Sequence, residues 1–131
     1  MGHRWLEHTA ELQLQIDAPS EAAVLREALE ALGELIGAGA LGEAVSREIV
    51  VTASDRAALL VAWLDELVYL AETEDLVADA AERLELDGDT LRATVRAHRR
   101  QPRHLVKGAT YHDLVFARAG GGFTATVVLD V

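Results

Sequence analysis

Hydrophobic and polar positions alternate in two different rhythms along this chain. Leu12, Leu14 and Ile16 alternate with Gln13 and Gln15, the period of two that marks a half-buried strand. After Pro19 the rhythm changes. Ser20 stands as an N-cap with Glu21 in the first turn, and Val24, Leu25, Ala28, Leu29, Leu32, Leu35 and Ile36 recur at helical spacing. Glu27, Glu30 and Glu34 line the other side of that helix, and Gly37 ends it as a C′ residue, opening a loop of small residues to Gly42. A second strand runs from Arg47 to Ala53, with β-branched Ile49, Val50 and Val51 at its centre. Ser54 or Asp55 then caps a second helix whose apolar face is Leu59, Leu60, Trp63, Leu64, Leu67, Val68 and Ala71. Its C-terminal half carries Asp65, Glu66, Glu72 and Glu74, where the helix dipole disfavours carboxylates; good packing that tolerates a small electrostatic cost is a simpler account than an acidic docking face.

The period of two then returns. Leu84 and Leu86 lead into the hairpin signal Asp87-Gly88-Asp89, and the return strand turns Leu91, Ala93, Val95 and Ala97 inward and Arg92, Thr94, Arg96 and His98 outward. A basic loop from Arg99 to His104, a strand from Thr110 to Arg118, a glycine turn at 120–122 and a last strand from Phe123 to Val131 complete the pattern. The expected fold is α+β: two helices packed on a mainly antiparallel β-sheet in the order β-α-β-α-β-β-β-β, with residues 1–131 forming a single domain.

Composition narrows the chemistry. The absence of cysteine excludes disulfides, thiolate metal sites and cysteine catalysis. No apolar run approaches the roughly 20 residues of a membrane span, and no basic head precedes an apolar stretch, so a cytoplasmic protein is expected. A net charge of −10 repels phosphate backbones and favours a basic protein partner or a metal ion. Eleven arginines accompany a single lysine, Lys107, and asparagine is absent, the bias of a GC-rich genome. A lysine that survives such pressure marks a position that needs an ammonium, or it is an accident of composition.

Phosphate-binding glycine loops, a nucleophile elbow and a metalloprotease helix are all missing from the sequence. Three clusters remain. Glu7-His8-Thr9-Ala10-Glu11 is dense in polar groups at the entry to the first strand, as a site or an exposed strand end would be. The stretch His104 to His112 holds the lone lysine, two of the five histidines and one of the two tyrosines. Its histidines do not stand at a zinc spacing, and His112 shares strand parity with Leu114 and Phe116, which also describes a core histidine. Asp130 stands beside Val131 at the end. If the last strand lies beside the first, Glu11, Asp130 and the Val131 carboxylate converge as oxygen ligands for a hard cation; a solvated chain end is the alternative.

Four segments, taken in order and spacing, resemble the archease family over nearly the whole chain. They are Leu6-Glu7-His8-Thr9-Ala10-Glu11, then Ala58 to Leu67, then Leu105-Val106-Lys107-Gly108-Ala109-Thr110-Tyr111-His112, and Val127 to Val131. Archeases are partners of RtcB-type RNA ligases, which join phosphate-bearing to hydroxyl RNA ends using GTP and manganese. The resemblance implies a non-catalytic activator in tRNA splicing or RNA repair. Such a protein promotes guanylylation of the ligase and its multiple turnover, and it meets RNA only through the ligase. The resemblance also implies a divalent-metal site at Glu11, Asp130 and Val131, with calcium first and magnesium or manganese as alternatives. It assigns Lys107, His8 and His112 to activation and partner contact. One departure stands out: the family usually has Asp where this chain has Glu11, whose extra methylene carries the carboxylate about 1.5 Å further. Two other readings compete. One is a stand-alone metal-dependent hydrolase using Glu11 and Asp130, with His8 or His112 as base. The other is a chaperone-like binding module, which would expose an apolar patch.

Overall fold

The computed structural model describes residues 1–8, 11–37, 41–102 and 106–131, except for the side chains of Glu7 and His8. Its elements, in chain order, are β1 (Gly2–His8), β2 (Glu11–Ala18), α1 (Glu21–Ile36), β3 (Ala44–Thr52), α2 (Arg56–Glu74), β4 (Leu76–Asp87), β5 (Thr90–Arg99), β6 (Gly108–Ala119) and β7 (Gly122–Asp130). Both helices start where the sequence places a cap. The Ser20 hydroxyl accepts the Ala23 N–H at 3.1 Å, and Asp55, rather than Ser54, accepts the Ala58 N–H at 2.8 Å.

The α+β class holds, with two helices and antiparallel strands throughout, but the strands form two sheets. One has the order β1-β2-β7-β6 and the other β3-β5-β4. Each helix packs against strands of both sheets, α1 on β2 and β4 and α2 on β6 and β4. The two helices are tied by Trp63, fully buried on α2, whose indole N–H donates to the Leu25 carbonyl of α1 at 2.8 Å. Gly33 lets α1 approach β4 closely: a Cβ there would stand 2.7 Å from the Ala78 carbonyl oxygen.

The seventh strand, β1, is an addition to the sequence reading. Its inward positions are His3 and Trp5, opposite Ile16 and Leu14, while Leu6 is exposed on the other face. Apolar alternation is therefore scrambled. The inward His3 is explained by a second correction, in α1. Glu27 is buried, not on the solvent side, and its carboxylate meets His3 Nδ1 at 2.6 Å; Glu34 meets Nε2 at 2.7 Å.

Two strands are longer than their alternation suggests. β4 begins at Leu76, not near Leu84, because register shifts at Ala78/Ala80 and Ala81/Arg83 break the period in its buried first half. β6 is shifted in register between Thr110 and Val115, with Asp113 in the left-handed region at φ 53°. That irregularity cancels the parity argument for a core His112. Around Gly88, at φ 59°, the β4–β5 hairpin closes as expected, and Leu91, Ala93, Val95 and Ala97 are all buried.

The acidic end of α2 is stabilised from outside. No basic residue lies in its last turn, but Arg99 of β5 donates to the Glu74 carbonyl at 3.1 Å and Arg47 of β3 to the Glu74 carboxylate at 2.9 Å. Among the described residues, no helix is long and apolar enough to cross a membrane.

Candidate metal and partner site

Strand order brings the three sequence clusters together. β7 lies between β2 and β6, with Asp130 opposite Glu11 on one side and opposite Gly108 on the other. The Lys107 N–H donates to the Asp130 carbonyl at 2.8 Å. Glu11, Asp130 and Lys107 thus converge at one end of the four-stranded sheet.

Directly opposed residues of an antiparallel pair have Cβ atoms about 4.5–5.5 Å apart, and like charges so placed repel. Among the described residues no cation pairs with Glu11 or Asp130. Two adjacent carboxylates without a counter-charge fit a hard divalent ion, which oxygen ligands suit. No three His, Asp or Glu side chains among the described residues gather tightly enough to hold an ion. Val131, which follows Asp130, is exposed.

On the α2 side of Asp130 lies an open groove of about 360 Å³, lined by Asp65, Val68, Tyr69, Glu72, Lys107 and Asp130 among others. Helical spacing i, i+3, i+4, i+7 puts Asp65, Val68, Tyr69 and Glu72 on one stripe of α2. Lys107 is exposed at the groove and makes no ion pair with a described residue. The α2 stripe was not singled out by the sequence reading: the acidic C-terminal half was visible, but only the fold shows that Asp65 and Glu72 border the groove whereas Glu74 is neutralised by Arg47.

The histidines divide. His112 is exposed, and its Nε2 lies 3.2 Å from Asp113 on the same protruding stretch of β6, so the core alternative falls away. His8 ends β1 opposite Glu11, and its side chain, like Thr9, Ala10, His104 and Leu105, lies outside the described residues. A histidine with a supporting carboxylate does exist: His98 Nδ1 engages Asp79. That pair is in the three-stranded sheet and is not part of the groove lining, so it does not supply Glu11 and Asp130 with a base.

A two-helix, two-sheet α+β domain with an acidic strand-end site and a lone exposed lysine is the class of protein defined here. Comparison places it further. The model of the archease protein family matches residues 3–131. Protein archease of Methanosarcina mazei is 29% identical over 98% of this chain and 95% of its own length. The solution structure of Methanobacterium thermoautotrophicum protein 1598 superposes with a TM-score of 0.75 at 27% identity, covering 99% of both chains. The crystal structure of a Thermotoga maritima archease, described as a possible chaperone, does so with a TM-score of 0.70 at 26% identity, covering 96% of this chain and 94% of that one. The chain belongs to the archease family.

Proposed function

We propose that this archease is a non-catalytic, cytoplasmic activator of an RtcB-type RNA ligase in tRNA splicing or RNA repair, meeting RNA through the ligase. The observation that carries the reading is the register that sets Glu11, Asp130 and Lys107 together at one sheet end. In this reading Glu11, Asp130 and Val131 hold one divalent cation, calcium by preference and magnesium or manganese as alternatives. Bound there, the ion neutralises two like charges and gives the partner a fixed positive point. Lys107 presents a compact ammonium beside it. Guanylylation of a histidine assembles a triphosphate and divalent metals in line with the nucleophile. An ammonium fits among phosphates and metal ions where a planar guanidinium does not. His112, exposed on β6, and His8, opposite Glu11, join the surface that meets the ligase. The net charge of −10 speeds encounter with a basic active-site mouth.

The test is a guanylylation time course of the cognate ligase with and without this chain, followed by ligation with RNA ends in excess. Faster guanylylation and repeated turnover are expected; superimposable time courses refute the reading.

The description of the Thermotoga relative as a possible chaperone supports a second reading, a binding module for unfolded chains. Among the exposed large apolar residues, Leu6 is on β1, Val50 on β3 and Tyr69 on α2, while Tyr111 and Val115 share β6. Suppression of a heated client's aggregation at equimolar ratio, with no effect on guanylylation, would favour it.

A further inference from the structure

Lys107 has a long flexible side chain, so a role that depends on where its ammonium sits depends first on where its backbone is held. That backbone lies one residue before β6, an edge strand, where pairing with β7 is only beginning. Two hydrogen bonds bracket it. On one side the Lys107 N–H donates to the Asp130 carbonyl of β7 at 2.8 Å. On the other the Ala109 N–H donates to Asp65 Oδ1 of α2, also at 2.8 Å. The second bond comes from a side chain, not from the sheet, and it spans 44 residues of sequence.

Asp65 is suited to this. It sits next to Leu64 and two residues after Trp63, both fully buried, so the helix backbone beneath it is fixed by the core. Gly108 completes the fit: a Cβ at that position would stand 3.2 Å from Asp65 Oδ1, tighter than ordinary contact, so a glycine there lets the carboxylate close on the strand. A carboxylate accepting a backbone N–H forms the stronger, charge-assisted kind of hydrogen bond.

We infer that Asp65 is a positioning residue for Lys107: it clamps the 107–109 segment to α2 so that the ammonium is presented at the groove mouth beside Asp130. This inference rests on the reading of Lys107 given above, and it assigns a task to one of the acidic residues that helix-dipole reasoning leaves unexplained.

Two substitutions separate position from charge. Asp65→Ala removes the acceptor. Asp65→Asn removes the charge but keeps a carbonyl oxygen that can take the Ala109 N–H. Amide hydrogen exchange at Ala109 and stimulation of ligase guanylylation are measured on both, with melting temperature as the control for folding. In Asp65→Ala we expect Ala109 exchange to rise about tenfold and stimulation to fall by a similar factor. In Asp65→Asn both are expected to stay within about twofold of the parent. Unchanged Ala109 exchange in Asp65→Ala overturns the clamp. Loss of stimulation in Asp65→Asn while Ala109 stays protected overturns it too, since the charge and not the position would then matter. Failure of the parent chain to stimulate any ligase refutes the activator reading instead, and the exchange measurement then decides the clamp alone.

Discussion

Two acidic regions of this molecule are built from the same residue types and are treated in opposite ways. At the seam between β1 and α1, Glu27 and Glu34 close on the single imidazole of His3, at 2.6 and 2.7 Å. At the groove between α2 and β6, Asp65, Glu72, Asp130 and Lys107 border an open space; none forms an ion pair with a described residue, and Asp65 alone is engaged, by the Ala109 N–H. The first arrangement spends its charges on holding an edge strand to a helix. The second leaves the charges of Glu72, Asp130 and Lys107 exposed, where they contribute little to stability and remain available to an ion or a partner. Composition cannot separate the two; only the partners of each carboxylate do.

The sharpest way to break that contrast is Glu27→Ala. Glu27 is 8% exposed, and removing it leaves a half-buried imidazole with one of its two acceptors missing. A loss of about 2 kcal/mol is expected, read as a lower urea midpoint at unchanged slope. Guanylylation stimulation per folded molecule should be unchanged. If it fell in step with Lys107→Ala, the seam would belong to the site after all.

Lys107→Arg is the mirror experiment. Folding should barely respond, because an exposed lysine without an ion pair rarely contributes more than about 1 kcal/mol. Stimulation of the ligase should drop about tenfold, on the scale of a truncated interfacial charge, with Lys107→Ala at least as impaired. Full activity in Lys107→Arg would make the lone lysine an accident of composition.

Asp130→Asn should act within the site alone. It relieves the opposition of two like charges across β2 and β7, so the melting temperature should hold or rise slightly, while calcium or magnesium affinity in a titration falls severalfold. Unchanged affinity would place any ion elsewhere.

The contrast also explains what sequence reading reached. Both helices, their N-terminal starts and the inward face of β5 were legible because each is a local pattern; the helix ends were read less well, since Gly37 is an extended C-cap and not a C′ residue and Asp75 caps α2 in the left-handed region. β1 was not, since its inward His3 is polar and its outward Leu6 apolar, and the buried Glu27 that makes His3 tolerable sits 24 residues away. β4 and β6 hid behind bulges, where period-two arguments lapse; that is why His112 reads as a core candidate and stands exposed. The division into two sheets is a matter of which strands pair, and alternation carries no record of the partner. Glu11, Lys107 and Asp130 each stood out as part of a cluster; the sequence reading set the pairing of first and last strands as the condition for Glu11 to meet Asp130, and the register meets it. The groove wall on α2 needed the fold, because an acidic helix end is equally consistent with plain solvation.

The finest test uses protons. His3 bonds through both ring nitrogens to carboxylates, which accept but do not donate when ionised, so the ring must carry two protons and a positive charge. Desolvation of the partly buried ring opposes that charge, yet the hydrogen bonds and field of Glu27 and Glu34 outweigh it and raise the His3 pKa above its ordinary 6.5. A group whose folded pKa is raised contributes stability that is fully present below the unfolded value, and that contribution is lost as pH climbs through the folded one. The urea midpoint of the parent should therefore exceed that of His3→Gln most at pH about 6 and by less at each step above neutrality. Glu34→Gln, at an exposed position, should keep the fold and lower the pKa of His3, which a ring-proton titration by NMR reads directly. A midpoint difference that stays flat or widens between neutral and alkaline pH would mean that His3 is held as a neutral ring, and that the seam is closed by packing and not by charge.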